Sequence, residues 1–387
     1  MDKEENERLT EVAPAHPERA GAELEPPSLR LIWFLAGFVL STTICSVAGY
    51  TLTSINIFQN FNRFQVFIAP DSNYLPTARQ VRALARAVLD PSKTNVVIGG
   101  SSVFYGVGQP AGMTMADNLQ RELGDQYRVV NLAMRGGDVS GIAEQTSEMM
   151  IRDGYKVIYL ADIAVAASPQ PIGQSPYTYF FWDARARRYL FDWPPRVSAV
   201  GEYPLLNNQA IGAALNSILN FNDLWETLAY EHLMTVLSSV HPEQFWHARA
   251  TLSDPEAEPA RERRYPFAEA DLRIARAISQ PLSEARWVDF RQNFDVAIPP
   301  PIRSSMLVAV CENSPFYMMQ LTEQERANRE VQRRRTIDII DSLGATAVSI
   351  CDTLDSDDYI DRVHMSVSGA RKVARIIAET VMARPSQ

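Results

Sequence analysis

From residue 94 the chain alternates short apolar runs with amphipathic stretches. "TNVVIGG" is β-branched and closed by glycines, so it reads as a strand. "MTMADNLQRELG" reads as a helix stopped by Gly124. "YRVVNLA" is a second strand, "VSGIAEQTSEMMIRDG" a helix closed by Gly154, and "KVIYLADIAVAA" a third strand. Ahead of them, "TARQVRALARAVLD" sets Val81, Leu84, Ala85 and Val88 on one helical stripe. The alternation returns with the strand "SSMLVAVCENS", a helix over "EQERANREVQRRRTIDIIDSLG" stopped by Gly344, and the strand "ATAVSICD". The last helix carries Ala370, Val373, Ala374, Ile377 and Val381 on one stripe, with Ser366 or Ser368 as its N-cap. Strands alternating with helices predict an α/β fold with a parallel sheet and helices on both faces.

Three regions break this pattern. Residues 1–30 are rich in Glu, Pro and Ala and poor in large apolar side chains. Such a stretch buries too little surface to offset its ordering entropy and reads as a disordered tail. Leu31 to Leu52 carries no charge, and about 20 apolar residues suffice to span a bilayer. The competing readings are a buried core helix and a cleavable signal peptide. A core helix of this length normally keeps a polar face. For a signal peptide, Ser46 and Ala48 supply the small residues of a cleavage site, but the preceding region is long and acidic. Arg30 at the N-terminal edge, with no basic residue on the far side before Arg63, favours a cytoplasmic tail and an extracytoplasmic bulk. Between 168 and 300 the alternation also fails. This span opens with the aromatic-dense "SPYTYFFWDARARRYLFDWPPR", continues with helical stretches, and reads as an inserted, mainly helical cap. The expected division is a cytoplasmic tail (1–30), a transmembrane helix (31–52), a linker or edge segment with the first helix (53–92), a first core segment (93–167), the cap (168–300) and a second core segment (301–387).

The net charge of −9, with no long basic run, argues against a nucleic-acid partner. There are three cysteines. Cys45 lies in the apolar run. Cys311 and Cys351, at the ends of two predicted strands, read either as one disulfide in an oxidising compartment or as two buried thiols. No His or Cys pair has metal-ligand spacing, no phosphate loop or dinucleotide fingerprint occurs, and no cofactor is expected.

Ligands of open α/β sheets bind beyond the carboxyl ends of the strands, and three loops there carry chemistry. The first is Gly100-Ser101-Ser102 with Gly106. Read alone it is a turn or a nucleophile, with glycines that let a substrate approach the backbone. The second, "NLAMRGGD" from Asn131 to Asp138, has glycines whose amides suit a developing oxyanion, or simply a turn. The third holds Asp361 and His364. A serine needs a base, usually His, and the base needs an acceptor that fixes its tautomer. Of the five histidines, His16 is in the tail and His232, His241 and His247 are in the span 168–300. Only His364 falls at the end of a recurring strand–helix unit.

Together the three loops resemble the SGNH, or GDSL-type, hydrolase superfamily, over roughly 95–165 and 303–384. The family's Gly-Asp-Ser-x-x-x-Gly is similar to Gly100-Ser101-Ser102 through Gly106, with Ser in place of Asp. Its Asn-x-Gly-x-x-Gly is similar to Asn131 through Gly136, with Ala133 for the first Gly. Its Asp-x-x-His matches Asp361 and His364. The Gly-x-Asn-Asp block has no counterpart, since Ala161-Asp162-Ile163-Ala164 stands there. The resemblance implies a flavodoxin-like, three-layer parallel sheet. It also implies Ser102 as nucleophile, Asp361 and His364 as its partners, and an oxyanion hole from the Ser102 and Gly136 amides. Asn131, Arg135 and Asp162 become candidate substrate-binding residues. The apolar run, with the missing Asn donor, looks most like the membrane-tethered branch that modifies exported polysaccharide beside a membrane-bound O-acyltransferase. That implies a periplasmic domain on a single-pass inner-membrane anchor, a cell-envelope glycan as partner, and acyl transfer through an acyl-serine. A plain carbohydrate esterase or deacetylase, and a non-catalytic scaffold of the same fold, are the alternatives.

Overall fold

The computed structural model describes residues 27–53, 66–69, 72–74, 85–110, 112–167, 169, 269–350 and 352–384. The tail expected over 1–30 and the aromatic opening of the expected cap fall almost wholly outside them. The described residues cluster into two units, one ending at Ile44 and one beginning at Cys45.

Helix α1, Pro27–Thr53, contains the uncharged run. Its stretch Leu29–Ala48 is long and apolar enough to cross a membrane. Trp33, Phe34 and Phe38 are exposed on it. In the segment expected as a linker or edge, β1 (Val66–Ala69) and β2 (Ser72–Tyr74) pair as a small antiparallel hairpin.

Five parallel strands form the main sheet. They are β3 (Thr94–Ile98), β4 (Tyr127–Asn131), β5 (Lys156–Ala164), β6 (Met306–Cys311) and β7 (Thr346–Ser349), in the order β4-β3-β5-β6-β7. The chain leaves β3 to one side for β4 and then returns to the other side for β5. The order therefore reverses beside β3, which is where α/β sheets open a ligand crevice. Successive strand residues face opposite sides, and the core divides accordingly. Val97, Tyr159 and Val308 belong to one buried cluster, and Val96, Leu160 and Leu307 to the other. Burial of both faces is why these strands read as near-continuous apolar runs.

Each face is closed by helices whose stripes the sequence shows. On the Val96 side lie α2 (Ser102–Tyr105), α3 (Met115–Leu123) and α10 (Val367–Met382), through Phe104, Leu119, Val373 and Ile377. On the other side lie α4 (Ile142–Arg152) and α9 (Glu323–Ser342), through Ile142, Met150 and Ile340. Reciprocal capping boxes start α3 (Thr114 with Asp117) and α9 (Thr322 with Glu325). At α10 the cap is Ser366, which accepts from the Gly369 amide, while Ser368 donates to Asp358 instead.

The pattern predicts an insertion over 168–300, yet α6 (Glu284–Ala297) sends Trp287, Phe290 and Phe294 into the same cluster as Tyr159 and Val308. Three buried aromatic side chains on one helix face are a core contribution, so 284–297 joins the buried cluster on that face of the sheet. The shorter α5 (Glu269–Ile278), by contrast, packs Leu272 and Ala275 with Tyr317, near α8 (Pro315–Met318), in a separate small cluster. The four-residue α7 (Pro300–Arg303) leads into β6.

Candidate active site

The site begins where β3 ends. Gly99 still donates to Leu160 O of β5 at 2.7 Å. Gly100 then turns with φ +96°, and a Cβ there would lie 2.1 Å from Asp162 Oδ1. Both its conformation and its space demand glycine. The space belongs to a carboxylate, not to an approaching substrate as the sequence suggests. Ser101 is the N-cap of α2, its Oγ accepting from the Val103 amide at 3.2 Å. Ser102 is the first helical residue, so its own amide has no acceptor within the helix.

The loop after β7 approaches from across the sheet. His364 Nε2 stands 2.8 Å from Ser102 Oγ, and His364 Nδ1 stands 2.6 Å from Asp361 Oδ2. The other Asp361 oxygen accepts from the Val363 and His364 amides, at 2.9 and 2.8 Å. Burial pushes the Asp361 carboxyl up, but these hydrogen bonds and the imidazole outweigh it and hold it below the ordinary carboxylate range. Two of the nearby acids are engaged elsewhere. Asp355 and Asp358 both pair with Lys372, at 3.0 and 2.7 Å. Of the two serines only Ser102 reaches His364, while the Ser101 hydroxyl is held by Asp162.

A cavity of about 300 Å³ opens over Ser102. Gly137, Asp138, Asp162, Glu312, Asn313, Arg329 and Arg362 are among its walls. Of the three residues expected to bind substrate, only Asp162 is there, and its carboxylate is engaged. Asn131 is buried, its Nδ2 donating to Phe104 O and its Oδ1 accepting from the Ala133 amide, so it builds the loop. The Arg135 guanidinium lies 5.3 Å from the centre of the Tyr105 ring and is not in the cavity wall. Gly136 sits exposed with φ +70°, and it is Gly137 that lines the cavity. Gly137 donates to Met134 O, and a Cβ on it would meet Gly100 O at 2.4 Å.

Four wall residues are not singled out by the sequence. Arg329 and Glu312 form a buried ion pair at 2.7 Å, and Arg362 donates to Asn313 Oδ1 while its Nε lies 3.6 Å from Asp271. Glu312 and Asn313 follow β6 directly, and Arg362 lies inside the Asp-x-x-His motif. The rule that ligands gather at strand carboxyl ends would have reached all three. Cys311 also lines the cavity; Cys351, read with it either as one disulfide or as two buried thiols, is outside the described residues. The remaining histidines lie outside them too. Among the described residues no three His, Cys, Asp or Glu side chains are grouped to hold a metal.

No protein-family model matches the chain, and no curated protein does. Among solved structures it is similar to Est24, a carbohydrate acetylesterase from Sinorhizobium meliloti, at 12% identity and a TM-score of 0.30, over 75% of this chain and 99% of that one. It is similar also to an aryl esterase of M. smegmatis, at 11% identity and a TM-score of 0.30, again over 75% of this chain and 99% of that one.

Proposed function

We propose that this chain is a membrane-anchored, extracytoplasmic serine esterase or acyltransferase, acting on O-acyl groups, acetyl foremost, of an exported polysaccharide or cell-envelope glycan. The observation that carries the reading is the unbroken line Asp361, His364, Ser102, with links of 2.6 and 2.8 Å. Ser102 Oγ attacks the ester carbonyl and its proton passes to His364 Nε2. The ionised Asp361 accepts from Nδ1–H and keeps Nε2 free to act as the base. Negative charge gathers on the carbonyl oxygen, where the Ser102 amide, which has no acceptor within its helix, is the donor. The tetrahedral intermediate expels an alkoxide, which takes the proton from His364, and leaves acyl-Ser102. Water or a sugar hydroxyl then attacks, His364 again removing and returning the proton. Hydrolysis and transfer thus share one intermediate and differ only in the acceptor.

The anchor rests on the apolar stretch Leu29–Ala48 and on Arg30 at its edge. A membrane-bound O-acyltransferase fits as the partner that delivers acyl groups to the outer side. The deciding experiment is mass spectrometry of the purified full chain incubated with an activated acetyl ester. An acetyl adduct on the peptide holding Ser102 is expected. Its discharge to water alone marks an esterase, and acceleration by added glycan marks a transferase. No adduct, with the fold intact, rejects the enzymatic reading and leaves a binding scaffold. The anchor predicts sedimentation with membranes and resistance to high-salt extraction. A soluble product beginning near Gly49 would replace it with a signal peptide.

A further inference from the structure

Asp162 is a buried carboxylate held at both oxygens by one residue. Its Oδ1 accepts from the Ser101 amide at 2.7 Å, and its Oδ2 accepts from the Ser101 hydroxyl at 2.5 Å. The Ser101 Oγ in turn accepts from the Val103 amide. Ser102 therefore sits between two residues fixed, directly or at one remove, by a single carboxylate. Gly100 makes the room, because any side chain there would overlap Asp162. No cation pairs with this carboxylate among the described residues, and burying a charge without one is costly. Ser101 stands where the resembled pattern has Asp, and the carboxylate that meets it here comes instead from Asp162 on β5.

We propose that Asp162 is a positioning residue for the nucleophile: acting through Ser101, its carboxylate sets the start of α2 and so the direction of Ser102 Oγ toward His364. The inference rests on the reading of Ser102 as nucleophile. An ionised carboxylate accepts at both oxygens, whereas an amide in its place offers one acceptor and one donor. With Asn at 162 the Ser101 hydroxyl loses its acceptor and must turn, and the first turn of α2 loosens. A misplacement of about 1 Å in a reacting group can cost on the order of 10²-fold in rate. A purely structural role predicts the opposite pattern, in which stability falls with reactivity. Removing an unpaired buried charge should leave stability equal or higher.

The test uses the full chain in detergent. Four forms are compared: wild type, Ser101→Ala, Asp162→Asn and the double variant. The rate of covalent labelling by a fluorophosphonate and the thermal midpoint are both measured. Labelling in Asp162→Asn is expected to slow by about 10- to 100-fold, with an unchanged or raised midpoint. The double variant should be little slower than Asp162→Asn alone, because both changes break one connected unit. Unchanged labelling in folded Asp162→Asn would overturn the proposal. So would slowing matched by a lowered midpoint, or effects that multiply. If wild type itself does not label, the nucleophile reading fails. Hydrogen exchange of the peptide spanning residues 99–106 then decides the positioning role: faster exchange in Asp162→Asn supports it and equal exchange rejects it.

Discussion

His364 Nε2 hydrogen-bonds Ser102 Oγ although 262 residues separate them in the chain. Nothing local brings them together. Ser102 is placed by the end of β3, and His364 by the loop between β7 and α10, two strands further across the sheet from β5. The pair exists only when the whole parallel sheet has formed. Asp361 and His364 differ in this respect: they are three residues apart, and the aspartate also binds two amides of its own loop. His364 is oriented locally, whereas Ser102 is delivered by the fold.

This separation predicts distinct outcomes for the two neighbouring serines. Ser102→Ala should abolish labelling by a serine-directed fluorophosphonate at any exposure time. Ser101→Ala should label more slowly and still reach completion, because it removes a hydrogen bond and not the nucleophile. A stoichiometric adduct on the Ser102→Ala chain would move the nucleophile elsewhere.

For Asp361→Asn the shape is kept and the imidazole loses its anionic partner. In a serine protease the corresponding change costs about 10⁴ in rate. Asp361 is partly exposed, so water can substitute in part, and a loss of about 10²–10³ in acyl-ester turnover is expected here. Its folded pKa lies below the ordinary value. The stability it contributes is therefore present above about pH 4 and is lost as pH falls further. In Asp361→Asn the midpoint should accordingly lie closer to wild type at pH 3 than at pH 7. An equal gap at both would remove the linkage.

The sheet was legible because its central strands β3, β5 and β6 are buried on both faces, which forces apolar runs. The meeting of Ser102, His364 and Asp361 was suggested by three loops beyond strand ends and by the resemblance of their motif order to a known one. Other features depend on contacts distant in sequence. Trp287, Phe290 and Phe294 form a helical stripe that can be read locally, but nothing local says that the stripe joins the cluster of Tyr159 and Val308. Asn131 sits at a loop where polar residues often bind ligands, and its two backbone bonds to Phe104 and Ala133 show only in three dimensions. The clasp of Ser101 by Asp162 joins positions 61 residues apart, with no motif to announce it.

The placement of α6 carries its own prediction. Phe294 is fully buried and stacks on Phe290, with ring centres 6.3 Å apart. Phe294→Ala should cost about 3–5 kcal/mol, as a core position does, measured by denaturant unfolding. A loss below about 1 kcal/mol would return 284–297 to a peripheral layer.

Gly100 tests the room made for the carboxylate. Alanine there must adopt φ near +96° and overlap Asp162 Oδ1. An unfavourable backbone region alone costs on the order of 1–3 kcal/mol, and the overlap adds to it. Gly100→Ala should therefore lower the thermal midpoint and slow labelling of Ser102 together. Pairing it with Asp162→Ala should recover the part due to overlap and leave the backbone part. No recovery in the pair would mean that the carboxylate does not fill that space.

The last prediction follows from the ionisation of Asp162. Burial pushes its pKa up to about 6, against the opposing hydrogen bonds from Ser101 and with a further push from Asp138. In the unfolded chain an aspartate titrates near 3.9. Between these values the folded state binds more protons than the unfolded state, so stability falls as pH rises. Above about pH 6 the folded protein carries a penalty on the order of 3 kcal/mol from this one group, and below about pH 4 it carries none. Asp162→Asn removes the titration. Its midpoint should exceed that of wild type by most at pH 7.5, and the gap should shrink as pH falls through 6 toward 4. Calorimetry of the two chains across that range is the measurement. A gap independent of pH would mean that Asp162 titrates alike in both states, and a gap that widens on acidification would mean that its folded pKa is lowered.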